Sequence, residues 1–251
     1  MTRLNLPSIL LQGSSQFKRI PYAGHPTTGL STTGEAEQEQ LRKTLSQGNT
    51  PSIRQYNLAV CHQHQFIWFR VAKVGVRTVK HYFSQTLPNQ ISYVRNVHYP
   101  PQQYQGYFKF GFVRNPWDRL VSCWRDKIIR TNYFRLADSE LEQMQDFRAF
   151  VKFVETFDLQ NCDPHLRLQS ALMDLNMVNF VGRMERFDED FRIVLQQLNL
   201  PDREIERKNV SQHRKPYPYY YDTELRERVR KMYRKDIQLF GYQFESSTSI
   251  V

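Results

Sequence analysis

The chain has 251 residues, of which 40% are hydrophobic and 14% aromatic, a composition typical of a globular protein with one sizeable core. Its three cysteines form no CxxC pair and are too few for a disulfide scaffold, which weakly indicates a reducing compartment. The formal net charge of +10 indicates acidic partners such as a phosphorylated nucleotide, an anionic glycan or a nucleic acid.

Residues 1–55 are predicted to be a poorly packed N-terminal arm, rich in Gly, Ser, Thr, Gln and Pro, with one candidate helix at 34–46. The apolar patch at 4–11 is broken by Asn5, Pro7 and Ser8, so it resembles neither a signal peptide nor a membrane span. We therefore predict one folded domain at 56–245, a tail at 246–251, and a soluble, cytoplasmic location, with peripheral membrane association as the alternative.

The first informative element combines a strand, a loop and a helix. An apolar, β-rich run from Phe66 to Ala72 is followed by the loop Lys73 to Thr78 and by a helical pattern at 79–87. Gly75 allows close approach of the backbone to an anion, and the helix start offers unpaired amide hydrogens. The loop is predicted to hold a phosphate, but it is not a Walker A loop because its lysine precedes the last glycine.

The second element predicts another anion site. A strand at 91–95 and a turn-rich stretch at 96–106 lead to an apolar strand at 107–113, which ends at Arg114. Asn115 is suited to cap the next helix and Pro116 to occupy its first position. Ser122 is expected to add a hydroxyl from that helix. The alternative is a solvated helix face on which Asp118, Arg119 and Arg125 form ion pairs.

Further amphipathic helices are predicted within 133–157 and at 185–198 and 222–240. Strands that alternate with helices predict a single α/β domain with a mainly parallel central sheet and ligands at the carboxyl ends of its strands. Trp68, Trp117 and Trp124 lie beside the two anion elements, and we expect them in the core rather than stacked on a ligand.

The two elements together, Lys73-x-Gly75-x-x-Thr78 and Arg114-x-Pro116-x-x-Arg119-x-x-Ser122, resemble the sulfotransferases that use 3′-phosphoadenosine 5′-phosphosulfate (PAPS). The closer resemblance is to the carbohydrate, or family 2, branch, and it covers roughly residues 66–244. It includes a His-x-x-x-Gln segment at 163–170, a strand and turn at 178–185, a loop at 209–211 and the closing helix at 233–242.

This resemblance implies a P-loop-like sulfotransferase fold and a nucleotide site. The 5′-phosphosulfate is expected on the first loop, made of Lys73, Val74, Gly75, Val76, Arg77 and Thr78. The 3′-phosphate is expected on Arg114 and Ser122, with Asn209 and Ser211 closing over the nucleotide. Two positions depart from the family pattern, because Arg77 stands where Thr or Cys is usual and Ala72 where Pro is frequent.

The resemblance also implies sulfuryl transfer to a hydroxyl acceptor, with a glycan as the expected class and no metal required. Lys73 is predicted to stabilise the leaving phosphate. His98 is predicted to be the general base, because related glycan sulfotransferases place a histidine in this region. His165 is the second candidate, although a structural role at a helix start competes with it.

Two other classes of function stay open at this point. A nucleotide-dependent phosphotransferase would need a lysine after the last glycine of the first loop, where the chain has Arg77 and Thr78. A non-catalytic basic protein would bind polyanions through charge alone. No nucleic-acid-binding motif is present, so a nucleic-acid partner is not predicted. The spacing of His62 and His64 is a weak metal signal that lacks a third ligand nearby.

Overall fold

The computed structural model describes Ser52, residues 54–203 and residues 215–245. Its strands are β1 (Tyr56–Cys61), β2 (Phe66–Phe69), β3 (Ser92–Val97), β4 (Phe108–Val113) and β5 (Phe180–Arg183). They form one sheet with the order β3-β1-β2-β4-β5. The helix predicted at 34–46 and the tail at 246–251 lie outside the described residues, so the predicted domain boundaries stay predictions.

The sheet is mixed, and the prediction of a mainly parallel sheet was wrong. β2 pairs with β4 and β4 with β5 in parallel, but β1 is antiparallel to both β2 and β3. The sequence pattern does not indicate the β1–β2 hairpin, because its turn (62–65) contains none of the residues that favour such turns. Gln65 supplies the positive φ of 47° instead.

The directions of these strands still bring several strand ends together. β2, β4 and β5 run the same way, and β3 joins them because both β3 and β2 are antiparallel to β1. The carboxyl ends of all four strands therefore lie at one edge of the sheet, which we call the carboxyl edge. The loop that begins after β2 and the segment that begins at Arg114 both start there.

The observed helices are shorter than the helical stretches predicted from the sequence. The stretch 133–157 is interrupted before Asp146, whose side chain caps the second of its helices by accepting from the Arg148 amide at 3.0 Å. A π-helix at Arg125–Ile129 continues the helix that follows Arg114. The helices in the described ranges are α1 (Val76–Thr86), α2 (Pro116–Trp124), α3 (Asp138–Met144), α4 (Phe147–Glu155), α5 (Phe187–Gln197), α6 (Thr223–Met232) and α7 (Arg234–Phe240).

Two clusters of buried side chains form the core. In the first, α1 and α5 cover the sheet, with Phe83 stacked on Phe66 at a ring-centroid distance of 5.2 Å and Phe187 packed on Phe112 at 5.2 Å. The second cluster lies among α2, α4 and α6. The expectation that the tryptophans belong to the core is confirmed, since all three are buried: Trp68, Trp117 and Trp124.

The tight contact between β4 and β5 gives a first test of the packing. A Cβ atom added at Gly182 would lie 2.7 Å from Cδ1 of Phe112, inside van der Waals contact, whereas one added at Gly106 would meet nothing within 4 Å. We expect Gly182→Ala to lower the free energy of unfolding by about 1–3 kcal/mol through overpacking. Urea denaturation of this variant beside Gly106→Ala measures the difference, and equal stability of the two would contradict the packing described.

Candidate functional site

The loop after β2 makes a tight turn that leads directly into α1. Lys73 takes φ 72° and Gly75 takes φ 78° with ψ 17°, after which α1 begins. A positive φ is rare for a residue with a side chain and is frequent at functional sites. Val74 and Thr78 are buried, so Val74 can offer a ligand its backbone but not its side chain. Arg77, the departure from the family pattern, is exposed on the first turn of α1.

The side chain of Lys73 is held by a carboxylate on the π-helix. Its Nζ lies 2.8 Å from Oδ2 of Asp126, and both side chains are 14% exposed. Asp126 also pairs with Lys127, at 3.4 Å, and with Arg130. One carboxylate thus organises three cations, and the cluster keeps an excess of positive charge that suits an anionic ligand.

The pKa values of this pair follow from burial and charge. Burial lowers the pKa of Lys73 from its ordinary value, and the hydrogen bond and charge of Asp126 act in the opposite direction. Burial alone would raise the pKa of the Asp126 carboxyl, but the hydrogen bond and charge of Lys73 and the charges of Lys127 and Arg130 hold it below its usual range. Asp126 is therefore ionised at neutral pH.

Arg114 lies beside the Lys73 loop, as the neighbouring parallel strands β2 and β4 require. Its Nη1 donates to the backbone oxygen of Lys73 at 3.3 Å, and its Nε and Nη2 contact Oδ2 of Asp118 at 2.7 and 2.6 Å. Asn115 caps α2 as predicted, by accepting from the Trp117 amide at 3.1 Å. The structure therefore brings together the two predicted anion elements.

Three residues outside the two predicted anion elements hold Arg114 and Asn115 in place. The Gln169 side chain accepts from the Arg114 amide and donates to the Arg114 carbonyl, both at 2.9 Å. Asp236, which is fully buried, accepts from the Gln169 amide at 2.6 Å. Glu185 accepts from the Asn115 amide at 2.5 Å. The only signal in the sequence for Gln169 is its place in the His-x-x-x-Gln segment.

Arg119 is not on a solvated helix face, and that alternative interpretation of it was wrong. The residue is 2% exposed. Its guanidinium donates to three backbone oxygens, those of Ala72 at 3.1 Å, Arg167 at 2.9 Å and Pro164 at 2.9 Å. Among the described residues no carboxylate pairs with this cation, and charge-assisted hydrogen bonds offset the cost of its burial. Arg119 thereby joins the first loop to the segment around His165.

The other predicted site residues lie on different elements of the fold. Ser122 is half-buried on α2. His98 lies just beyond β3 at the carboxyl edge, with its Nδ1 2.6 Å from the backbone oxygen of Ser52. β1 separates β3 from β2, so His98 lies two strand spacings, about 10 Å, to the side of β2. Asn209 and Ser211 lie outside the described residues.

A surface cleft of about 300 Å³ opens at the start of α2. Its lining includes Asn115, Asp118 and Tyr217. Asn115 and Asp118 belong to the second predicted anion element, so the cleft borders that element. In the described part of the chain, no group of three or more His, Cys, Asp or Glu side chains could hold a metal ion. Across the same residues, no helix is long and apolar enough to cross a bilayer.

Comparison with known proteins identifies the family. The model of the sulfotransferase family matches residues 56–243, a range that contains the whole sheet and both anion elements. The chain therefore belongs to the sulfotransferase family and is a transferase. It is also similar to a protein of Archaeoglobus fulgidus described as uncharacterized, with 32% identity over 103 residues that cover 39% of this chain and 73% of that one. No solved structure matches the chain.

Proposed function

We propose that the protein transfers the sulfuryl group of PAPS to a hydroxyl group on a carbohydrate. The observation that carries this proposal is the contact between Arg114 and the Lys73 loop, because it sets two cations at the ends of adjacent strands. A nucleotide with phosphate-bearing groups at its 5′ and 3′ positions needs two such anion sites. Family membership, which indicates sulfuryl transfer in general, supports the choice of donor.

In this proposal, each of the two elements binds a different phosphate-bearing group of the nucleotide. The 5′-phosphosulfate is held by the loop from Lys73 to Thr78, whose left-handed residues and helix start direct amide hydrogens at an anion. The 3′-phosphate is held by Arg114 and Ser122. The cleft beside Asn115 offers room for part of the nucleoside.

Lys73 stabilises the leaving group in this mechanism. By analogy with phosphoryl transfer, the transition state is loose, and negative charge grows on the phosphate oxygen that loses the sulfuryl group. A cation placed there in advance lowers the barrier without further reorganisation. The ion pair with Asp126 holds the ammonium group at the mouth of the loop until the donor binds.

Two histidines at the carboxyl edge are candidates for the base that takes the proton of the acceptor hydroxyl. His98 is the prediction from the sequence, and its ring is held by the Ser52 backbone oxygen. His165 is the second candidate. The Arg119 guanidinium donates to the backbone oxygens of Pro164, which precedes His165, and of Ala72, which precedes Lys73. Both stay within the proposal.

The proposal of a glycan acceptor rests on the resemblance to carbohydrate sulfotransferases and on the net charge of the protein. A net charge of +10 favours an anionic polysaccharide over a neutral small molecule. A panel of unsulfated polysaccharides, small phenols and tyrosine peptides, tested with labelled PAPS, separates these acceptor classes. The cytoplasmic location and the lack of a nucleic-acid partner stay predictions.

The donor site is tested by calorimetric titration with adenosine 3′,5′-bisphosphate, the product that remains after transfer. We expect saturable binding to the wild type that is tighter than the binding of ATP. Arg114→Ala should weaken it by about 10–100-fold, the value of a charged hydrogen-bonded contact of about 1.5–3 kcal/mol. Arg125→Ala is the matched control, since Arg125 is a half-buried arginine just beyond α2 that bonds the Tyr220 hydroxyl at 3.1 Å.

The outcomes of this titration separate the three classes of function. Equal binding of ATP and the bisphosphate would favour a phosphotransferase. Weak, salt-sensitive binding of any polyanion, unchanged in Arg114→Ala, would favour a basic binding protein. Either result would overturn the proposed donor.

A further inference from the structure

A group of three cations lies on the side of the sheet that α1 covers, outside both predicted anion elements. Nζ of Lys80, on α1, lies 4.4 Å from the centre of the Tyr93 ring, and Cζ of Arg70 lies 5.3 Å from the same ring. Arg95 follows Tyr93 by two residues on β3, and alternate residues of a strand share a face. We call Arg70, Lys80 and Arg95 the basic cluster.

Two members of the basic cluster are accessible and lack a carboxylate partner. Arg70 is buried, and its Nε and Nη2 donate to the backbone oxygens of Leu58 at 3.1 Å and Val94 at 2.7 Å. Lys80 is half-buried and Arg95 is exposed, and within the described ranges neither forms an ion pair. Because β3 is an edge strand, the basic cluster is open to solvent along that edge of the sheet.

This arrangement is unfavourable for the ammonium group of Lys80. Burial, followed by the charges of Arg70 and Arg95, lowers its pKa from 10.5 to about 8. Burial raises the pKa of Tyr93 to about 12, so this neighbour is uncharged at neutral pH. On α1 itself, Arg77 precedes Lys80 by three residues and adds a charge of the same sign. Like charges held together in this way favour the binding of an anion, which relieves their repulsion.

The basic cluster spans the interval between the first loop and the end of β3. Arg70 directly follows β2 and precedes Lys73 by three residues, and Lys80 lies one turn into α1. Arg95 precedes His98 by three residues, and β1 is the strand that separates β3 from β2. A ligand that contacts the first loop and extends toward β3 therefore passes the basic cluster.

We infer that the basic cluster binds an acidic group, a carboxylate or a sulfate ester, on the acceptor glycan and so selects which sugar residue reaches the donor. The inference rests on the function proposed above and assigns acceptor recognition to particular side chains, which net charge alone does not do. Lys80 and Arg95 contact the acidic group from the open side, and Arg70 is fixed behind them by its backbone bonds. No covalent bond changes at the basic cluster, so its effect is on acceptor affinity and choice.

The kinetic test compares two forms of one acceptor, an unsulfated uronate-bearing polysaccharide and the same polysaccharide with its carboxyl groups reduced to alcohols. Both are assayed with saturating labelled PAPS. We expect Lys80→Met and Arg95→Met each to raise KM for the acidic form by about 10-fold, the usual effect of losing one charged contact, with kcat within about twofold of the wild type. KM for the reduced form should not change.

The pH dependence separates Lys80 from the other cations. Because Lys80 is charged below pH 8 and neutral above it, kcat/KM for the acidic form should fall as pH rises through about 8. Lys80→Arg keeps its charge and should abolish this fall. Lys73, whose pKa is also lowered by burial, acts on the donor, so any alkaline fall that it causes should appear with the reduced form as well.

Lys152→Met, at an exposed position of α4, is the matched control and should leave both KM values unchanged. Lys80→Met should be at least as stable to urea as the wild type, because it removes a repulsive charge. A merely structural role for Lys80 would instead lower stability and raise KM for both forms. Equal KM values for the two forms in the wild type would overturn the inference and leave the proposed function standing, whereas no transfer to either form would count against the proposed function.

A binding measurement tests the basic cluster without turnover. The protein, with and without adenosine 3′,5′-bisphosphate, is titrated calorimetrically with a uronate oligosaccharide, with its carboxyl-reduced form and with inorganic sulfate. We expect the acidic oligosaccharide to bind about 10-fold more tightly than the other two, and Lys80→Met to remove the preference. Equal binding of the acidic and reduced oligosaccharides would overturn the inference. Inorganic sulfate that binds as tightly as the acidic oligosaccharide would overturn it too, because the basic cluster would then take any free anion.

Discussion

Arg119→Met is expected to lower the free energy of unfolding by about 3–5 kcal/mol, because it removes a buried cation that satisfies three backbone oxygens. Methionine keeps most of the volume but offers no donor. The oxygens of Ala72, Pro164 and Arg167 would then be left without this partner, and an unsatisfied buried acceptor costs about 1–3 kcal/mol. Urea denaturation followed by circular dichroism measures the loss.

Arg125→Met is the matched control for this measurement. Arg125 lies just beyond the same helix and is half-buried, and within the described ranges its side chain donates one hydrogen bond, to the Tyr220 hydroxyl. We expect its replacement to cost about 0.5–1.5 kcal/mol. If the two methionine variants lose the same stability, Arg119 does not join the two segments as described. Arg119→Lys should fall between them, since an ammonium group cannot span three oxygens arranged for a guanidinium fork.

Lys73→Met is expected to lower kcat for sulfuryl transfer by about 10²–10³-fold, the usual effect of removing one preorganised donor at a site of growing negative charge. The effect should appear in kcat more than in bisphosphate affinity, because in the proposed mechanism the charge that Lys73 meets develops in the transition state. Steady-state kinetics with labelled PAPS, alongside calorimetry with the bisphosphate, separates the two quantities.

The fold should tolerate this change, since Asp126 keeps Lys127 and Arg130 as partners when Lys73 is removed. We expect the free energy of unfolding to change by about 1 kcal/mol or less. Lys152→Met, at an exposed position of α4, is the matched control and should leave kcat unchanged. An equal fall of kcat and affinity in Lys73→Met would mean that the lysine binds the donor without favouring its transition state.

The local parts of the candidate site were predictable from the sequence. Gly75 before a helix, Asn115 as a cap and Pro116 at the first helical position each act through contacts within a few residues, so their types and spacing suffice. The contact between Arg114 and the Lys73 loop follows from the same elements, because strands that run in parallel end at one edge.

The supports of the site were not predictable in the same way. Gln169 is hydrogen-bonded to the Arg114 backbone although the two residues are 55 positions apart in the chain. Asp236, a further 67 positions away, is hydrogen-bonded to the Gln169 amide. Nothing in the neighbouring residues of either position indicates such a partner. For Arg119, the sequence pattern favoured the wrong environment. Its charged neighbours on the helix are typical of a solvated face, but the residue is 2% exposed.

By itself, the sequence determined the α/β class of fold, the local geometry of the two predicted anion elements and the family to which the chain belongs, since these depend on residue types at short spacing. The tertiary structure decided the antiparallel β1, the burial of Arg119 and the pairing of Asp163 with His165 near Lys73. Pairing partners and burial depend on which distant segments pack together. A hydrophobic or charged pattern along the chain cannot specify that, because the same pattern fits several neighbours.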